Sequence, residues 1–272
     1  MTIKVALIGN PNVGKSVVFN NLTGSKQHTG NWPGKTVEKK EGYYDYSDHR
    51  FEIVDLPGVY SLSAVSEDEK VARQYLIDHR PEVVVDILNA SQLERNLYLT
   101  LLLIELQVNL VIVLNMNDIV EARGDKIDVE ALSRRLQAPI IVTTATKKEG
   151  MDELRQAIYE AVPKAVLELS KTGDGHLSEH LPGDLNGNDH LHYHPRFHHH
   201  GQYERLRPPA IKYGPDIEKK LKKIVMILSE DKALVERFPP RWLALRIFER
   251  DEAILQLFEN PELRERIVEG LE

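Results

Sequence analysis

Short apolar runs alternate with longer amphipathic ones along the first 160 residues. Runs at 5–8, 83–88, 110–114 and 139–143 predict strands. The run at 83–88 is nearly continuous in apolar character, as in strands covered on both faces. Residues 35–46 and 50–55 predict two more strands joined by the turn Ser47-Asp48-His49. Helical periodicity falls at 15–22, at 67–79 before Pro81, at 93–107, at 128–137 with Asp128 as cap, and at 151–162. Strand alternating with helix predicts an α/β fold, a mostly parallel sheet with helices on both faces.

The pattern changes after Pro163. Residues 167–169 prolong a linking helix, and 171–209 lose apolar periodicity while holding five glycines and eight of the eleven histidines. Such a stretch predicts a disordered or peripheral excursion. Helices are expected again at 216–229, 231–238, 241–258 and 261–269, with Pro239-Pro240 and Pro261 setting helix starts. The chain therefore divides into an α/β domain, 1–165, and a small all-helical domain, 166–272, with the His/Gly-rich insertion at about 171–209. Alternation of His190, His192 and His194 puts imidazoles on one side of an extended chain. No packing residues fix their geometry, so a solvated linker with incidental metal affinity is the reading taken.

Residues 97–114 imitate a membrane span, being 18 residues of mostly apolar type. Glu105, Gln107 and Asn109 interrupt them. The expectation is a buried helix ending near Gln107, then a core strand, because a carboxylate in hydrocarbon is expensive.

Composition narrows the function classes. With 272 residues, 28% charged, 42% hydrophobic and a net charge of −7, the chain is an ordinary globular one, and its acidic balance argues against a broad nucleic-acid or anionic-membrane surface. It holds no cysteine, which removes disulfides, thiolate metal sites and cysteine nucleophiles. The first residues read as a strand, not as a secretory signal.

Gly9-Asn10-Pro11-Asn12-Val13-Gly14-Lys15-Ser16 fits the phosphate-binding pattern G-x-x-x-x-G-K-[ST], after a strand and before a helix that continues with Val17. Gly9 and Gly14 let backbone amides turn toward phosphate oxygens, Lys15 reaches the β- and γ-phosphates, and Ser16 offers its hydroxyl to magnesium. Asp55-Leu56-Pro57-Gly58 ends the strand at 50–55. Asp55 would hold a magnesium-bound water and the Gly58 amide would meet the γ-phosphate. Asn115-Met116-Asn117-Asp118 follows the strand at 110–114, where ligands meet an open parallel sheet. The Asp118 carboxylate can accept from guanine N1–H and the exocyclic amine, and adenine offers neither there. Asn115 can bridge the base edge and the phosphate loop, and Thr144-Ala145-Thr146 could put a backbone amide on guanine O6. Unpaired buried polar groups are how such a site rejects the wrong base.

These residues look like a translation-factor-type GTPase of the small Ras-like fold. The runs Gly30-Asn31-Trp32-Pro33-Gly34-Lys35-Thr36-Val37-Glu38, Val54-Asp55-Leu56-Pro57-Gly58-Val59-Tyr60-Ser61-Leu62 and Leu93-Glu94-Arg95-Asn96-Leu97-Tyr98-Leu99-Thr100 resemble the cytosolic G domain of the ferrous iron transport protein B family. The helical tail resembles, in layout, that family's dissociation-inhibitor-like domain. The resemblance implies the GTP-hydrolysing regulatory portion of an integral membrane Fe(II) transporter, on the cytoplasmic face, with the membrane-spanning remainder as partner and oligomerisation left open. Thr36 would close over magnesium with the triphosphate bound, ordering the loop 23–35. Met116 stands where many GTPases carry lysine, so a thioether replaces the stacking lysine stem and weakens affinity; Thr144 replaces the usual serine.

Val59 stands where signalling GTPases place the glutamine that orients water, so hydrolysis is expected to be slow or to use another group. Asn12 sits beside the β–γ bridge, where its amide oxygen can ligate a monovalent cation. The resemblance to potassium-activated members implies that carbonyls of Gly30 and Trp32 complete that shell, making Asn12, Lys15, Thr36 and Gly58 the catalytic set. The alternative, a ribosome- or RNA-associated GTPase, shares every nucleotide motif. It would bring a basic appendage, and residues 166–272 carry 16 basic against 19 acidic residues, so no nucleic-acid partner is expected.

Overall fold

The computed structural model describes residues 2–24, 27–171, 211–258 and 266–267. Seven strands form its sheet: β1 (Ile3–Gly9), β2 (Gln27–Asn31), β3 (Glu38–Tyr46), β4 (His49–Asp55), β5 (Val83–Asn89), β6 (Leu110–Asn115) and β7 (Ile140–Val142). Their order is β2-β3-β4-β1-β5-β6-β7. β4, β1, β5, β6 and β7 run parallel, whereas β2–β3 and β3–β4 are antiparallel. Helices α1 (Lys15–Thr23), α2 (Glu67–Asp78), α3 (Leu93–Glu105), α4 (Asn117–Arg123), α5 (Val129–Leu136), α6 (Met151–Ala161) and α7 (Lys164–Lys171) belong to the first part of the chain. After the insertion come α8 (Pro215–Leu228), α9 (Lys232–Arg237), α10 (Pro240–Phe248) and α11 (Glu252–Leu255).

Alternate residues of the buried strands supply two cores. Val5, Leu7, Ile53, Val85, Ile87, Val111 and Val113 pack against α1 and α6, joined by Val166 and Leu167 of α7. Ala6, Ile8, Val54, Val84, Leu88, Ile112 and Leu114 face α2 and α3. The second core does not stop at the sheet layer. Leu221, Ile224 and Leu228 of α8, Trp242, Leu243 and Ile247 of α10 and Ile254 of α11 continue it, so the C-terminal helices bury their apolar faces on the outside of α2 and α3.

Polar contacts fix that packing. Glu105, at the end of α3, is 3% exposed and meets Arg241 at 3.2 Å. Arg241 also binds both oxygens of Glu218 at 2.9 Å. Burial raises the Glu105 carboxyl above its usual range, and the neighbouring guanidinium pulls it back. Arg73 of α2 reaches Asp251 Oδ2 at 2.9 Å, while Asp251 Oδ1 caps α11 through Ala253 and Ile254 N–H. The charge that breaks the apolar stretch 97–114 is thus an interdomain partner. Among the described residues no helix is long and apolar enough to cross a membrane.

Some expectations are corrected. The helix expected over 241–258 is two helices, broken where Arg250 turns left-handed at φ +58° and Asp251 restarts the chain as a cap. The loop expected over 23–35 contains β2, whose alternation is masked because nearly all its side chains are exposed. The helix α4 was not expected at all: Met116 enters it at φ +63° and Gly124 ends it at φ +75°. The insertion 171–209 and the helix at 261–269 lie, for the most part, outside the described residues. Arg241→Ala should destabilise the protein by about 3–5 kcal/mol, because it leaves Glu105 buried without a cation. The double variant Arg241→Leu/Glu105→Leu should recover most of that loss, as read by urea denaturation.

Candidate functional site

The loop 10–14 leaves the end of central β1 and enters α1, so the amides at the start of that helix face the carboxyl end of the sheet. Two glycines there are required by close packing. A Cβ on Gly9 would lie 2.3 Å from the Ile87 carbonyl oxygen, and one on Gly14, at φ +88°, would lie 2.3 Å from Asn115 Nδ2. The space at Gly14 is what lets Asn115 reach across. Asn115, 3% exposed at the end of β6, donates to the Val13 carbonyl at 2.9 Å. Its Oδ1 accepts from Thr143 Oγ1 and from Ala145 N–H, both at 3.0 Å. Two chain segments far apart in sequence, the phosphate loop and residues 143–145, therefore converge on one carboxamide.

Asp55 ends β4 beside β1, and its carboxylate pairs with the Lys15 ammonium. Burial raises the Asp55 carboxyl above its usual range, and Lys15 opposes that shift. The next residues lie against the phosphate loop: Val59 N–H donates to the Gly9 carbonyl at 3.1 Å, and a Cβ on Gly58 would come within 3.2 Å of Pro11 Cα. Asn10 is buried and its Oδ1 has no partner. Ser16 and Val17 are exposed on the first turn of α1. Asn12 is exposed at φ +64°, a left-handed conformation that asparagine tolerates. No side-chain hydrogen bond within the loop is described for it.

On the base side, Met116 is half-buried and lies against the phosphate loop: its Cε would be 3.8 Å from a Cβ on Gly14. Asp118 is half-buried in the first turn of α4. Thr144 is bridged to Glu149, Ala145 is buried with its N–H turned to Asn115, and Thr146 is exposed. The structure thus brings Gly9 to Ser16, Asp55, Gly58, Asn115 and Thr144 to Thr146 to one end of the sheet. Two residues unremarked in the sequence complete this end. Thr143 orients Asn115, and Asn21 donates to the Ala145 carbonyl at 2.7 Å while its own carbonyl accepts from Arg155 at 2.7 Å. No local pattern marks them, since their partners lie 28 and 124 residues away.

The first variable loop is not gathered in. Gly30 pairs with Lys39 in the β2–β3 ladder, and the Trp32 carbonyl accepts from Lys35 N–H at 2.9 Å. Trp32 is buried edge-on against Tyr75 at 5.4 Å, with the Lys39 ammonium over its ring. Lys35 binds Glu67 at 2.6 Å. Thr36 is exposed at the hairpin tip, and no hydrogen bond to Ser16, Lys15 or Asp55 is described.

Comparison with known proteins decides the family. The family model for ferrous iron transport protein B matches residues 3–158, and that for the FeoB cytosolic helical domain matches residues 213–272. The chain belongs to the ferrous iron transport protein B family. The Fe(2+) transporters FeoB of Escherichia coli K12 and of Salmonella typhimurium are each 46% identical over 160 residues, covering 57% of this chain. The chain spans 21% of the length of those FeoB relatives. An S. thermophilus NFeoB mutant bound to mGDP superposes with a TM-score of 0.77 at 32% identity, covering 100% of this chain and 88% of that one. The L. pneumophila FeoB cytosolic domain gives a TM-score of 0.70 at 30% identity, covering 98% and 97% of the two chains. The architecture is that of FeoB cytosolic regions: a Ras-like G domain fold followed by a helical domain.

Gly14→Ala should destabilise the nucleotide-free protein by at least about 1–2 kcal/mol from the left-handed backbone alone. The collision with Asn115 adds to that. Guanidinium denaturation of the variant beside the wild type measures it.

Proposed function

We propose that this chain is the guanine-nucleotide switch of a ferrous iron transporter, binding GTP and GDP and hydrolysing the former. The observation that carries this reading is the convergence of the phosphate loop, Asp55–Gly58 and the Asn115–Asp118 and Thr144–Thr146 loops at one sheet end. The S. thermophilus relative, with mGDP bound, supports it. Lys15 and the amides of 10–17 hold the phosphates, Gly58 meets the γ-phosphate, and Asp118 reads guanine with Asn115, Met116 and Ala145 beside it. Asn115 acts mainly as the clasp for this wall. The amides best placed for guanine O6 are those of Ala145, shared with Asn115, and Thr146.

The donor set fits a phosphate–cation pair. Asn10 Oδ1 is orphaned, glycines leave room for little but backbone, and Lys15 and Asp55 are buried against each other with opposite charges. Ser16, Asp55 and, from a closed first loop, Thr36 would hold magnesium, which when bound neutralises phosphate charge. Closure must draw the tip of the β2–β3 hairpin inward, breaking the Lys35–Glu67 pair and moving Trp32 on Tyr75. Such γ-phosphate-dependent ordering is a common switch.

Val59 has no group to orient water. Asn12 offers a free amide oxygen beside the loop, and we propose it as a potassium ligand with the Gly30 and Trp32 carbonyls once these leave their hairpin contacts. A cation there would supply the electrostatic stabilisation that other GTPases draw from arginine. The helical domain, bound to α2 through Arg73 and Asp251, is placed to sense the segment after Gly58. Because α7 packs on the sheet, we propose that the division between domains falls after Lys171 and not at 165.

Asp118→Asn should move preference from guanine toward xanthine nucleotides, whose edge accepts where guanine donates. Titration calorimetry with GDP, XDP and ADP checks this, and equal binding of ADP and GDP by the wild type would defeat the assignment. Hydrolysis should run faster in potassium than in sodium at matched ionic strength, and Asn12→Ala should erase that difference while sparing GDP binding. Phosphate release in the two salts reads it directly.

A further inference from the structure

Asp86 lies in the middle of β5 and is 1% exposed. By strand alternation it points, with Val84 and Leu88, toward α2 and α3. Its Oδ2 lies 2.6 Å from Thr100 Oγ1, which is fully buried on α3. Its surroundings are apolar on every side: Ala6 and Ile8 on β1, Ile112 and Leu114 on β6, Leu99 and Leu103 on α3. From α2 the titratable group in this core is the Tyr75 phenol, and no charged side chain is described in contact with Asp86. A carboxylate without a cation is the form such a place disfavours.

Its position links two parts of the molecule. Asp86 pairs with Ile8 in the β1–β5 ladder, and the next carbonyl, of Ile87, lies directly under Gly9 where the phosphate loop begins. On α3, Asn96 one turn earlier accepts from Asn89 N–H at 3.3 Å, and Glu105 beyond Thr100 meets Arg241 of the helical domain. The Asp86–Thr100 contact is therefore the polar peg in the middle of the helix that spans from the nucleotide end to the helical domain.

We propose that Asp86 is a positioning residue for the phosphate loop. As a neutral acid it sits in the apolar seam between α3 and β5; as a carboxylate, with one hydroxyl and no cation to offset its burial, it draws that seam open, and nucleotide leaves faster. The proposal rests on the guanine-nucleotide reading above. Burial pushes the Asp86 acid up to about 7, and the Thr100 hydrogen bond opposes the rise. Since the folded acid keeps a proton that the unfolded chain loses near the ordinary value, its contribution to stability is full at low pH. That contribution fades as pH rises toward 7.

The test measures release of a fluorescent GDP analogue and thermal midpoints of the full chain from pH 5.5 to 8.5. Wild type should release about fivefold faster at the alkaline end, the lower end of coupling between linked sites. Asp86→Asn, uncharged and of the same shape, should lose that step. Thr100→Val should move its midpoint to higher pH, because the hydrogen bond favouring the carboxylate is gone. A step that survives in Asp86→Asn, or a midpoint that Thr100→Val leaves in place, overturns the proposal. If Asp86→Asn does not fold, the Thr100→Val midpoint decides alone. Failure of the wild type to bind GDP at all would sink the nucleotide reading instead. Thermal midpoints that fall equally with pH in the wild type and Asp86→Asn would still overturn the role given to Asp86.

Discussion

One side-chain amide holds the nucleotide end of this protein together. Asn115 is tied to the phosphate loop, to the end of β7 and to the turn after it. Each of these hydrogen bonds contributes only about 1 kcal/mol net, but all three are buried and share one group, so losing it would strand a carbonyl, a hydroxyl and an amide at once. Glycine at position 14 is the condition for this arrangement, because any Cβ would occupy the space that Asn115 uses. The phosphate loop and the loop at 143–145 are therefore tied to each other through one group.

The hairpin tip and the segment after Gly58 share a different support. The first is bound to α2 by Lys35–Glu67 and by the Trp32–Tyr75 contact. The second is bound to α2 by the capping box of Ser66 and Glu69 and by Arg73, which reaches the carbonyls of Leu62 and Ser63. Helix α2 is thus the common support of both segments, and through Arg73 and Asp251 it also touches the helical domain. A displacement of either segment bears on the same helix.

Much of this was legible in the sequence, and for definable reasons. Phosphate-loop chemistry is written in contiguous residues, Gly9 to Ser16, and the buried strands of the parallel sheet announce themselves by unbroken apolar runs such as 83–88. Asp55 and Asn115 were found because their strands place them at one sheet end. What stayed hidden depends on distant partners or on backbone angles. β2 is an edge strand with polar, exposed residues, so no apolar alternation marks it. The break at Arg250 follows from a left-handed turn and the cap at Asp251, and the charged run Glu249-Arg250-Asp251-Glu252 is the signal in the sequence that could have shown it. Thr143 and Asn21 matter only through contacts that form on folding.

The placement of β2 has a consequence for how motion is confined. An edge strand shares its ladder with a single neighbour, here β3. Peeling its tip away disturbs that pairing alone, and the six remaining strands keep all their mutual hydrogen bonds. Displacing β2, one of the two edge strands of the sheet, need not make the other six yield. The two tryptophans sample different parts of one core: Trp32 packs on α2 from the hairpin, and Trp242 is fully buried on α10, so the indole spectrum carries one signal from each end of the chain.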